Sequence, residues 1–458
     1  MKRIILILVL IILGADCTFT EGTSEIKPGS PLPIPPILSG MNLNLQIQEG
    51  SLELPFGTSA SYGFNGDYLG PTIRVRKDDY ITMQIENTLS ESTTVHWHGL
   101  HVPAEFDGGP HQIIKAGQVW KPKFQIAQNA ATLWYHPHLM GKTAEHVYRG
   151  LAGMFIIDDD YSDSLSLPDE YGVNDIPLII QDREFDRNGS FTYGPSHADL
   201  MQGYIGNAVL VNGAFKPELE LSRGTYRFRI LNGSNSSIYR LTFSDSRQFT
   251  VIAGDGGFLP KSVGVENLIL SPGERFEILM DFKTSEIIKL NLEIYGSTGH
   301  EIMTMKIVGN NGRYFEHPAN FLYEPANFES LDLKKRSFIM ETRGMGIFTI
   351  NGARMDMNVI NFTMDKNSNE IWTIRNQGMG MMNIPHSFHV HDTQFKVLSF
   401  NGRLPGPLYS GPKDTILVMP GDVAVIGVSF KDYTGIYMYH CHLLEHEDTG
   451  MMGQFKIE

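Results

Sequence analysis

The residues best suited to chemistry in this sequence lie in the stretch His440-Cys-His-Leu-Leu-Glu-His-Glu-Asp-Thr-Gly-Met451. Within it, Cys441, His446 and Met451 follow one another at five-residue intervals. One thiolate, imidazoles and a weak axial thioether are the ligands of a blue-copper electron-transfer centre. The stretch therefore predicts a copper site, and its second imidazole must come from elsewhere in the chain.

The tripeptide His440-Cys441-His442 predicts a connection between two metal sites. If it ends a strand, the period of two puts both histidines on one face and the cysteine on the other. The cysteine can then bind one metal while its neighbours hold others. An electron would cross only a short covalent path, on the order of 10 Å.

Histidine pairs recur elsewhere in the sequence. With 16 histidines in 458 residues, chance would give roughly half a His-x-His pair. The chain has four, which are His96/His98, His136/His138, His389/His391 and His440/His442. A chance origin is therefore rejected, and we predict that these histidines are metal ligands.

Composition and charge set the class of the chain. Its 458 residues, 41% hydrophobic and 19% charged, are enough for two to four domains with their own cores. The formal net charge of −14 argues against nucleic acid as a partner and favours a protein that meets metal cations.

The start of the chain predicts export. Charged residues precede ten apolar ones, Ile4 to Leu13, as in a secretory signal, and ten residues are too few to span a bilayer. We predict a signal peptide over residues 1–20 and a soluble exported protein without stable membrane insertion. A lipid-modified Cys17 is the alternative. If Cys17 is removed, Cys441 is the only cysteine, and no disulfide can form within the chain.

Three similar segments predict three β-domains. Residues 21–40 are an extended leader, and short β-branched and aromatic runs between turn residues then favour sandwiches or barrels. An Asn-Gly pair followed by a strand ending in asparagine recurs as Asn65-Gly66 with Tyr80–Asn87, Asn212-Gly213 with Tyr226–Asn232, and Asn351-Gly352 with Ile371–Asn376. The strand-end asparagines are 145 and 144 residues apart. The predicted domains are therefore 41–160, 161–325 and 326–458.

Only the first and third copies contain histidine pairs after the repeated strand. The first continues to Val95-His-Trp-His98 and the third to His386-Ser-Phe-His-Val-His391, whereas the second continues to Gly233-Ser-Asn-Ser-Ser-Ile238. We therefore predict that the middle domain is a spacer without ligands. The metal cluster is expected at the interface of the first and third domains.

With these motifs in place, the sequence resembles the three-domain multicopper oxidases, the family of laccases, bilirubin oxidases and bacterial cuprous oxidases. The likeness covers residues 40–458 and four motifs in the family's order, His96-Trp-His-Gly99, His136-Pro-His138, His386 to His391, and His440 to Met451. Together with Phe106-Asp-Gly-Gly109 and Gly150-Leu-Ala-Gly153, they make the chain most similar to copper-efflux cuprous oxidases of bacterial periplasms. The resemblance implies an all-β fold of three cupredoxin-like Greek-key domains in the periplasm or another extracytoplasmic space.

The resemblance also implies four copper ions, one of type 1, one of type 2 and two of type 3. Carried over by position, type 1 takes His386, Cys441, His446 and Met451; type 2 takes His96 and His389; one type 3 ion takes His98, His136 and His442; the other takes His138, His391 and His440. The remaining histidines are predicted to be surface or structural residues, namely His101, His111, His146, His197, His300 and His317.

The implied reaction couples one-electron oxidation of Cu(I), another metal ion or a phenol to four-electron reduction of dioxygen to water. A role in copper tolerance and a monomeric state are expected. The alternative is a general laccase or other metallo-oxidase without that role. Cys441 would transfer electrons, and Asp107 and Glu447 match the family's proton-delivering acids. A turn residue and a carboxylate that orients histidine are the alternative readings of these two acids.

The sequence departs from the family pattern in three places. Pro385 precedes His386, where most relatives have proline after this histidine, and Asp392 follows His391, where they have glycine. The long Met/His-rich insertion of copper-efflux members is missing between Pro325 and Asn351. Phenolic donors are therefore expected to reach the type 1 copper as well as Cu(I).

Two rival classes are weighed against the oxidase. One is a non-enzymatic cupredoxin scaffold, like relatives that lost their copper ligands, and the filled ligand positions argue against it. The other is a two-domain copper nitrite reductase, and the three repeats and four paired motifs argue against that.

Methionine points to the substrate. The segment Gly378-Met-Gly-Met-Met382 ends four residues before His386, and its alternate glycines do not make a packed strand. Thioethers select Cu(I), because both are soft. We predict a substrate Cu(I) site made by Met381 and Met382, with Met340, Met345 and Glu341. For Met355, Met357 and Met364, core packing is the preferred interpretation.

Overall fold

The computed structural model describes residues 29–297, 299–323, 326–330, 332–343, 346–378 and 384–458. Six β-sheets contain most of the regular secondary structure in this part of the chain, which confirms the predicted all-β class. The predicted signal peptide, Cys17 and the boundary residue Pro325 lie outside the described residues. The domain boundaries near 160 and 325 stay a prediction.

The first ten strands form one pair of sheets. They are β1 (Ile37–Ser39), β2 (Asn42–Leu54), β3 (Gly57–Phe64), β4 (Thr72–Arg76), β5 (Tyr80–Asn87), β6 (His96–His98), β7 (Val119–Trp120), β8 (Lys123–Gln125), β9 (Ala131–His136) and β10 (Gly153–Asp158). The sheet orders are β1-β4-β10-β9-β6 and β3-β2-β5-β7, with β8 paired to β5. Alternate residues of β5, namely Ile81, Met83 and Ile85, are buried against Ile73 and Phe155 of the facing sheet, as an amphipathic strand requires.

The next twelve strands form a second pair of sheets. They are β11 (Asp175–Arg183), β12 (Ala208–Val211), β13 (Ala214–Phe215), β14 (Glu218–Ser222), β15 (Gly224–Asn232), β16 (Tyr239–Phe243), β17 (Phe249–Gly254), β18 (Gly257–Val265), β19 (Asn267–Leu270), β20 (Arg275–Phe282), β21 (Glu286–Ile294) and β22 (Gly299–Gly309). The orders are β13-β12-β11-β15-β20-β17-β18 and β14-β22-β21-β16-β19. All nine residues of β15 are buried, because this strand is covered on both faces.

The last ten strands form the third pair. They are β23 (Lys334–Arg343), β24 (Ile347–Ile350), β25 (Phe362–Met364), β26 (Ser368–Asn376), β27 (His386–Val390), β28 (Lys396–Phe400), β29 (Thr415–Val418), β30 (Val423–Phe430), β31 (Gly435–Cys441) and β32 (Met452–Ile457). The orders are β24-β23-β26-β30-β28 and β25-β32-β31-β27-β29. Phe338, Trp372, Phe388 and Phe455 fill the core between these sheets, and Cys441 lies in the same core.

Helices are few and short in the described ranges. They are α1 (Thr143–Tyr148), α2 (Asp160–Ser164), α3 (His197–Gln202) and α4 (Leu444–Asp448), with 3-10 turns at Ala104–Phe106 and Pro407–Tyr409. Ser196 and Asp199 cap the start of α3 reciprocally through side chain and backbone. Among the residues that the structure describes, no helix is long and apolar enough to span a membrane.

The three Asn-Gly turns have one local structure. Their asparagines, Asn65, Asn212 and Asn351, have φ values of 55°, 51° and 55°, in the left-handed region that asparagine tolerates. Each side-chain oxygen accepts a bond of 2.7 Å from a backbone N–H of a neighbouring strand, and each amide donates to the carbonyl two residues before that N–H. The N–H groups belong to Gln46, Ile179 and Ile339, and the carbonyls to Asn44, Pro177 and Ser337.

The asparagines that end β5, β15 and β26 are also equivalent. Asn87, Asn232 and Asn376 each accept a bond from the N–H two residues on. Each also donates to two carbonyls, one in the loop that follows and one further along the chain. In both asparagine patterns, these hydrogen bonds satisfy the donors and acceptors of the side-chain amides. The repeated sequence signal therefore corresponds to a repeated structure in all three sheet pairs.

Candidate metal centres

Strand pairing brings the four His-x-His pairs together in two sets. In the first sheet pair, β6 is antiparallel to β9 and His96 lies opposite His136. In the third, β27 is antiparallel to β31 and His389 lies opposite His440. Every histidine of these pairs is at most 1% exposed. Each sheet pair thus presents four buried imidazoles at one end.

The two sets meet across the interface. The rings of His96 and His391 stack with centroids 3.9 Å apart, and those of His98 and His389 with centroids 3.8 Å apart. The Nε2 atoms of His138 and His440 are 3.1 Å apart. All eight imidazoles therefore form one buried cluster between the first and third sheet pairs, which we call the histidine cluster.

Three groups within the histidine cluster have nitrogens close enough to hold a metal ion. These groups are His96/His98/His136, His96/His389/His391 and His138/His391/His440, each with its ligand atoms within 4.8 Å of one another. The last group matches one predicted type 3 set. His442 belongs to none of them, but its ring centroid is 4.8 Å from that of His98 and 5.3 Å from that of His136, its predicted partners.

Unsatisfied nitrogens test whether these residues suit a metal. Buried side-chain nitrogens rarely lack a partner, because each lost hydrogen bond costs free energy. Here His96 Nε2, His389 Nε2, His138 Nδ1 and both nitrogens of His442 have none. Imidazole nitrogens held this way are suitable ligands for copper. The donor set therefore fits copper.

Backbone carbonyls fix several rings from behind. The Nδ1–H groups donate to carbonyl oxygens at 2.8–3.0 Å, in the pairs His96 with Asp107, His136 with Pro137, His389 with Asp414, and His440 with Cys441. Such bonds set the tautomer and leave Nε2 as the ligand atom. His98 is reversed, since its Nε2–H donates to Asp414 Oδ1 at 3.0 Å while its Nδ1 faces His136.

Burial keeps the cluster neutral. Burial and the neighbouring His440 together outweigh Glu447 and lower the pKa of His138 to about 4 and that of His442 to about 3. Neutral imidazole is the form that binds metals. The cluster is therefore ready for metal at neutral pH without losing protons first.

Two acids touch the histidine cluster. Asp107 Oδ2 accepts from His391 Nδ1 at 2.7 Å, and Glu447 Oε2 lies 3.1 Å from His440 Nδ1. Burial and Asp392 raise the pKa of Asp107 well above its usual value. Burial also raises the pKa of Glu447, but His138 and His440 outweigh it and lower that pKa to about 2. The two carboxyls therefore differ in proton affinity.

A glycine allows the Asp107 side chain to approach the histidine cluster this closely. Gly108 has a φ of 78°, and a Cβ there would lie 1.7 Å from the carbonyl oxygen of Val95. No other residue type fits against the strand at this distance. The turn residues after Asp107 therefore serve its position beside the cluster.

The second centre surrounds Cys441. The Nδ1 atoms of His386 and His446 lie 3.5 Å and 3.7 Å from its Sγ, and Met451 packs in the same core. His386 is thus the second imidazole that the sequence required. Burial raises the pKa of the thiol to about 12, so it loses its proton at neutral pH only when a metal takes the proton's place.

The two centres are joined by His440-Cys441-His442. The rings of His440 and His442 lie in the histidine cluster with centroids 5.6 Å apart, while Cys441 lies in the core behind it. β31 ends at Cys441, and the N–H of His442 donates to Ser387 O at 2.6 Å. The alternation predicted from sequence is therefore present.

Met451 is the predicted axial ligand of the Cys441 centre. It is fully buried beside Cys441, whereas Met452 packs into a different cluster. We expect Met451→Leu to keep the blue absorption and raise the potential of the centre, because a weak axial ligand tunes the metal without holding it. Redox titration followed at the blue band measures this, and a colourless, copper-depleted variant would show that Met451 is misplaced.

Helix α3 of the second sheet pair covers the Cys441 centre, which the sequence reading missed. His446 Nε2–H donates to the carbonyl of Met201 at 3.3 Å, and Phe348 stacks on the His446 ring at 3.9 Å. Both ligand imidazoles are at most 1% exposed. The shortness of the chain between Pro325 and Asn351 thus does not leave this centre open. The pattern Ser196-x-x-Asp199 is the signal that predicts such a helix.

The contacts of His101 show the effect of having aspartate instead of glycine at position 392. Its Nδ1–H donates to Asp392 Oδ1 at 2.8 Å, and Nε2 lies 3.2 Å from Asp432 Oδ2. Burial lowers the pKa of His101, but the two aspartates outweigh it and raise that pKa to about 9. Asp392 itself adopts a φ of 68°, a left-handed conformation that suits the glycine expected there from the family resemblance. Asp392 instead places a carboxylate beside a structural histidine.

The middle sheet pair reaches the histidine cluster through Arg275. Its guanidinium donates to both oxygens of Asp414 at 2.8 Å and 2.6 Å, and its Nε donates to Thr132 O at 3.0 Å. Asp414 in turn holds His98. Arg275 on β20 therefore joins β9 of the first pair to Asp414, just before β29 of the third, so this domain does more than separate the other two.

Removing this guanidinium should destabilise the protein strongly. We expect Arg275→Met to lower the free energy of unfolding by about 3–5 kcal/mol, because Asp414 is left buried without its cation. Arg240→Met is the control, since the Arg240–Glu293 pair is exposed and such pairs contribute about 0–1 kcal/mol. Denaturant unfolding of both variants measures the difference, and equal losses would refute the role of the buried pair.

The predicted substrate methionines are only partly described. Met345, Met381 and Met382 lie outside the described residues. Met340 is fully buried in the third core, and Glu341 lies on the other face of β23, where its Oε2 pairs with Arg343 at 2.9 Å. Thr342, on the face of Met340, has its Oγ1 3.5 Å from His386 Nε2.

Comparison with known proteins identifies the class. Three family models described as multicopper oxidase match residues 46–162, 188–287 and 325–458. The chain therefore belongs to the multicopper oxidases. It is an oxidase with copper cofactors that acts on dioxygen and a reducing substrate, and its sheet pairs are cupredoxin-like domains. The predictions of family, enzyme and fold class are confirmed.

Three individual proteins show how similar the relatives are. "Multicopper oxidase mco" of Staphylococcus aureus is 39% identical, over 90% of this chain and 88% of its own length. "Cell division protein FtsP" of Escherichia coli is 35% identical, over 93% and 92%. The structure of a laccase-like multicopper oxidase, CueO of an Ochrobactrum species, superposes with a TM-score of 0.87 at 37% identity, over 93% of this chain and all of that one.

Proposed function

We propose that this protein oxidises Cu(I), and phenols that can exchange electrons with the covered centre, one electron at a time and reduces dioxygen to water. The observation that carries the proposal is the convergence of the predicted ligands on two centres joined by His440-Cys441-His442. A role in copper tolerance, export by residues 1–20 and action as a monomer belong to the same proposal. So do the domains 41–160, 161–325 and 326–458.

The proposal assigns four copper ions as the sequence predicted. Type 1 is held by His386, Cys441, His446 and Met451, and the histidine cluster holds the type 2 ion and the type 3 pair. When bound, copper supplies the one-electron chemistry and the binding of dioxygen. The type 2 ligands are His96 and His389, and the type 3 ligands are His98, His136 and His442 for one ion and His138, His391 and His440 for the other.

The residues of the chain perform the remaining tasks. With copper bound, Cys441 would provide the covalent path by which an electron from the covered centre reaches His440 and His442. Asp107, whose pKa is raised by burial, is the proposed proton donor beside His391, and the ionised Glu447 is the proposed proton acceptor beside His440. Burial of the cluster excludes bulk water and so limits side reactions.

Access to the Cys441 centre decides the substrate. Both of its imidazoles are buried, and α3 covers His446 with the carbonyl of Met201. A small ion that binds near His386 can deliver its electron without contact between a large donor and the ligands. This favours Cu(I) over bulky donors, and the thioethers of Met381 and Met382 are the proposed ligands.

The test is the double variant Met381→Leu/Met382→Leu, which preserves volume and apolar character but removes sulfur. We expect Cu(I) oxidation to fall at least about ten-fold while oxidation of a bulky phenol changes little, since a lost ligand weakens metal affinity by about that factor or more. Steady-state oxygen uptake with each donor measures both. Met364→Leu, in the third core, is the matched control. Equal losses for both donors would leave packing as the role of these methionines.

A general laccase without a role in copper tolerance is the second candidate. The Ochrobactrum relative has oxidase activity towards lignin model compounds and lignosulfonate. If phenol turnover exceeds Cu(I) turnover in the unaltered enzyme, this candidate is preferred. A non-enzymatic scaffold is the remaining alternative. It would lack copper, which the copper content of the purified protein decides.

A further inference from the structure

Four methionines form a cluster of their own in the third sheet pair. Met355, Met438 and Met452 are 9%, 1% and 2% exposed and contact one another, and the half-buried Met357 packs against them. We call them the methionine cluster. The chain has 21 methionines in 458 residues, so a packed group made only of this residue type is far from what random core filling gives.

A pair of strands and a loop form the methionine cluster. On β31 and β32, Met452 lies opposite His440, and Met438 lies two residues before it, so both side chains share the face of the sheet that carries His440. The loop between β24 and β25 supplies Met355 and Met357. It is held by the N–H of Met355, which donates to Gly450 O at 2.9 Å.

Polar contacts fix this loop against β32. The side chain of Gln454 donates from Nε2 to the carbonyl of Met357 at 3.0 Å, and His111 Nε2–H donates to Gln454 Oε1 at 2.7 Å. The half-buried thioether of Met357 is thus held at the outer side of the cluster. The fully buried thioethers of Met438 and Met452 lie behind it.

The methionine cluster borders the histidine cluster. A Cβ placed on Gly109 would lie 3.7 Å from Met438 Cγ and 3.4 Å from Asp107 Oδ2, so the thioether and the acid flank the same glycine. The segment containing Met381 and Met382 precedes His386, on the Cys441 centre.

We propose that the methionine cluster is a binding site for a single soft monovalent cation, Cu(I). Several thioethers, with no carboxylate or imidazole among them, select Cu(I) over divalent ions because the donors are soft and uncharged. Met357 is the ligand that an incoming ion meets first. The sequence predicted that Met355 and Met357 pack in the core. The proposal keeps those contacts and adds a bound ion.

The methionine cluster is independent of the proposed substrate site, and the binding of Ag(I) distinguishes the two sites. Ag(I) is a redox-inert probe with the same preference for thioethers. The experiment titrates the copper-loaded enzyme with Ag(I) by calorimetry and follows Ag–S scattering in X-ray absorption. We expect Met357→Leu/Met438→Leu to lower the affinity for one Ag(I) by about ten-fold or more and to reduce the Ag–S signal.

Three comparisons decide the outcome. The control Met83→Leu/Met280→Leu removes two buried methionines from separate cores and must bind Ag(I) as the unaltered enzyme does. Met381→Leu/Met382→Leu must retain this Ag(I). The proposal is overturned if Met357→Leu/Met438→Leu binds Ag(I) as the unaltered enzyme does. It is also overturned if Met381→Leu/Met382→Leu loses all thioether-bound Ag(I). If the double variant does not fold, the single change Met357→Leu at the half-buried position gives the same test.

Discussion

Changing Cys441 to serine should abolish both the intense blue absorption and the oxidase activity, while the three coppers of the histidine cluster remain bound. Thiolate is the ligand that gives this colour, and Cys441 is the one cysteine among the residues that the structure describes. It also provides the covalent path to His440 and His442. A hydroxyl in its place neither binds copper as a soft anion nor carries the electron between the centres.

Absorption and electron paramagnetic resonance spectra, copper per chain and oxygen uptake measure this result. Oxygen uptake with Cu(I) or a phenol is expected to fall to the level without enzyme. Met364→Leu serves as the control, because it alters the same core without touching a predicted ligand. Persistent turnover in the serine variant would show that electrons reach the histidine cluster by another path.

Replacing Asp107 by asparagine should slow dioxygen reduction by about 10²–10⁴-fold, the usual contribution of a positioned proton donor. Asparagine has nearly the same shape and can still contact His391, but it cannot release a proton. We therefore expect copper content, blue absorption and the rate of type 1 reduction to stay unchanged. Only the oxygen-dependent reoxidation of the reduced enzyme is expected to fall.

Stopped-flow reoxidation by dioxygen measures the effect of Asp107→Asn. Asp182→Asn is a suitable control, because Asp182 is a buried, hydrogen-bonded carboxylate in the second sheet pair. A variant that loses copper instead of speed would assign Asp107 to holding His391 in place. An unchanged rate would move proton delivery to Glu447.

The parts predicted well from sequence are those that depend on short periods. Alternation along His440-Cys441-His442 requires only strand geometry, and the three Asn-Gly turns recur because left-handed backbone favours asparagine at each. The choice of His386 as the second imidazole came from the family resemblance, because no local pattern connects positions 55 residues apart.

The parts missed depend on contacts between distant segments. Met201 covers His446 from 245 residues away, and Arg275 reaches Asp414 across 139 residues. A capping pattern indicates that α3 exists, but only the packing of the second sheet pair against the third shows where it lies. For Asp392, the sequence showed a departure from glycine, and only the fold supplied His101 as its partner.

The contacts of Arg275 also affect how tightly copper is held. Neither the first nor the third sheet pair alone contains a complete histidine cluster, and Arg275 and Asp414 contribute to the docking of the pairs. The free energy of copper binding and that of interdomain docking are thus linked, since each predicted ligand set of the cluster draws on both pairs and so binds the docked state preferentially. Weak docking lowers the apparent affinity for every ion of the cluster together, so a residue of the ligand-free middle pair influences metal retention at sites that it does not touch.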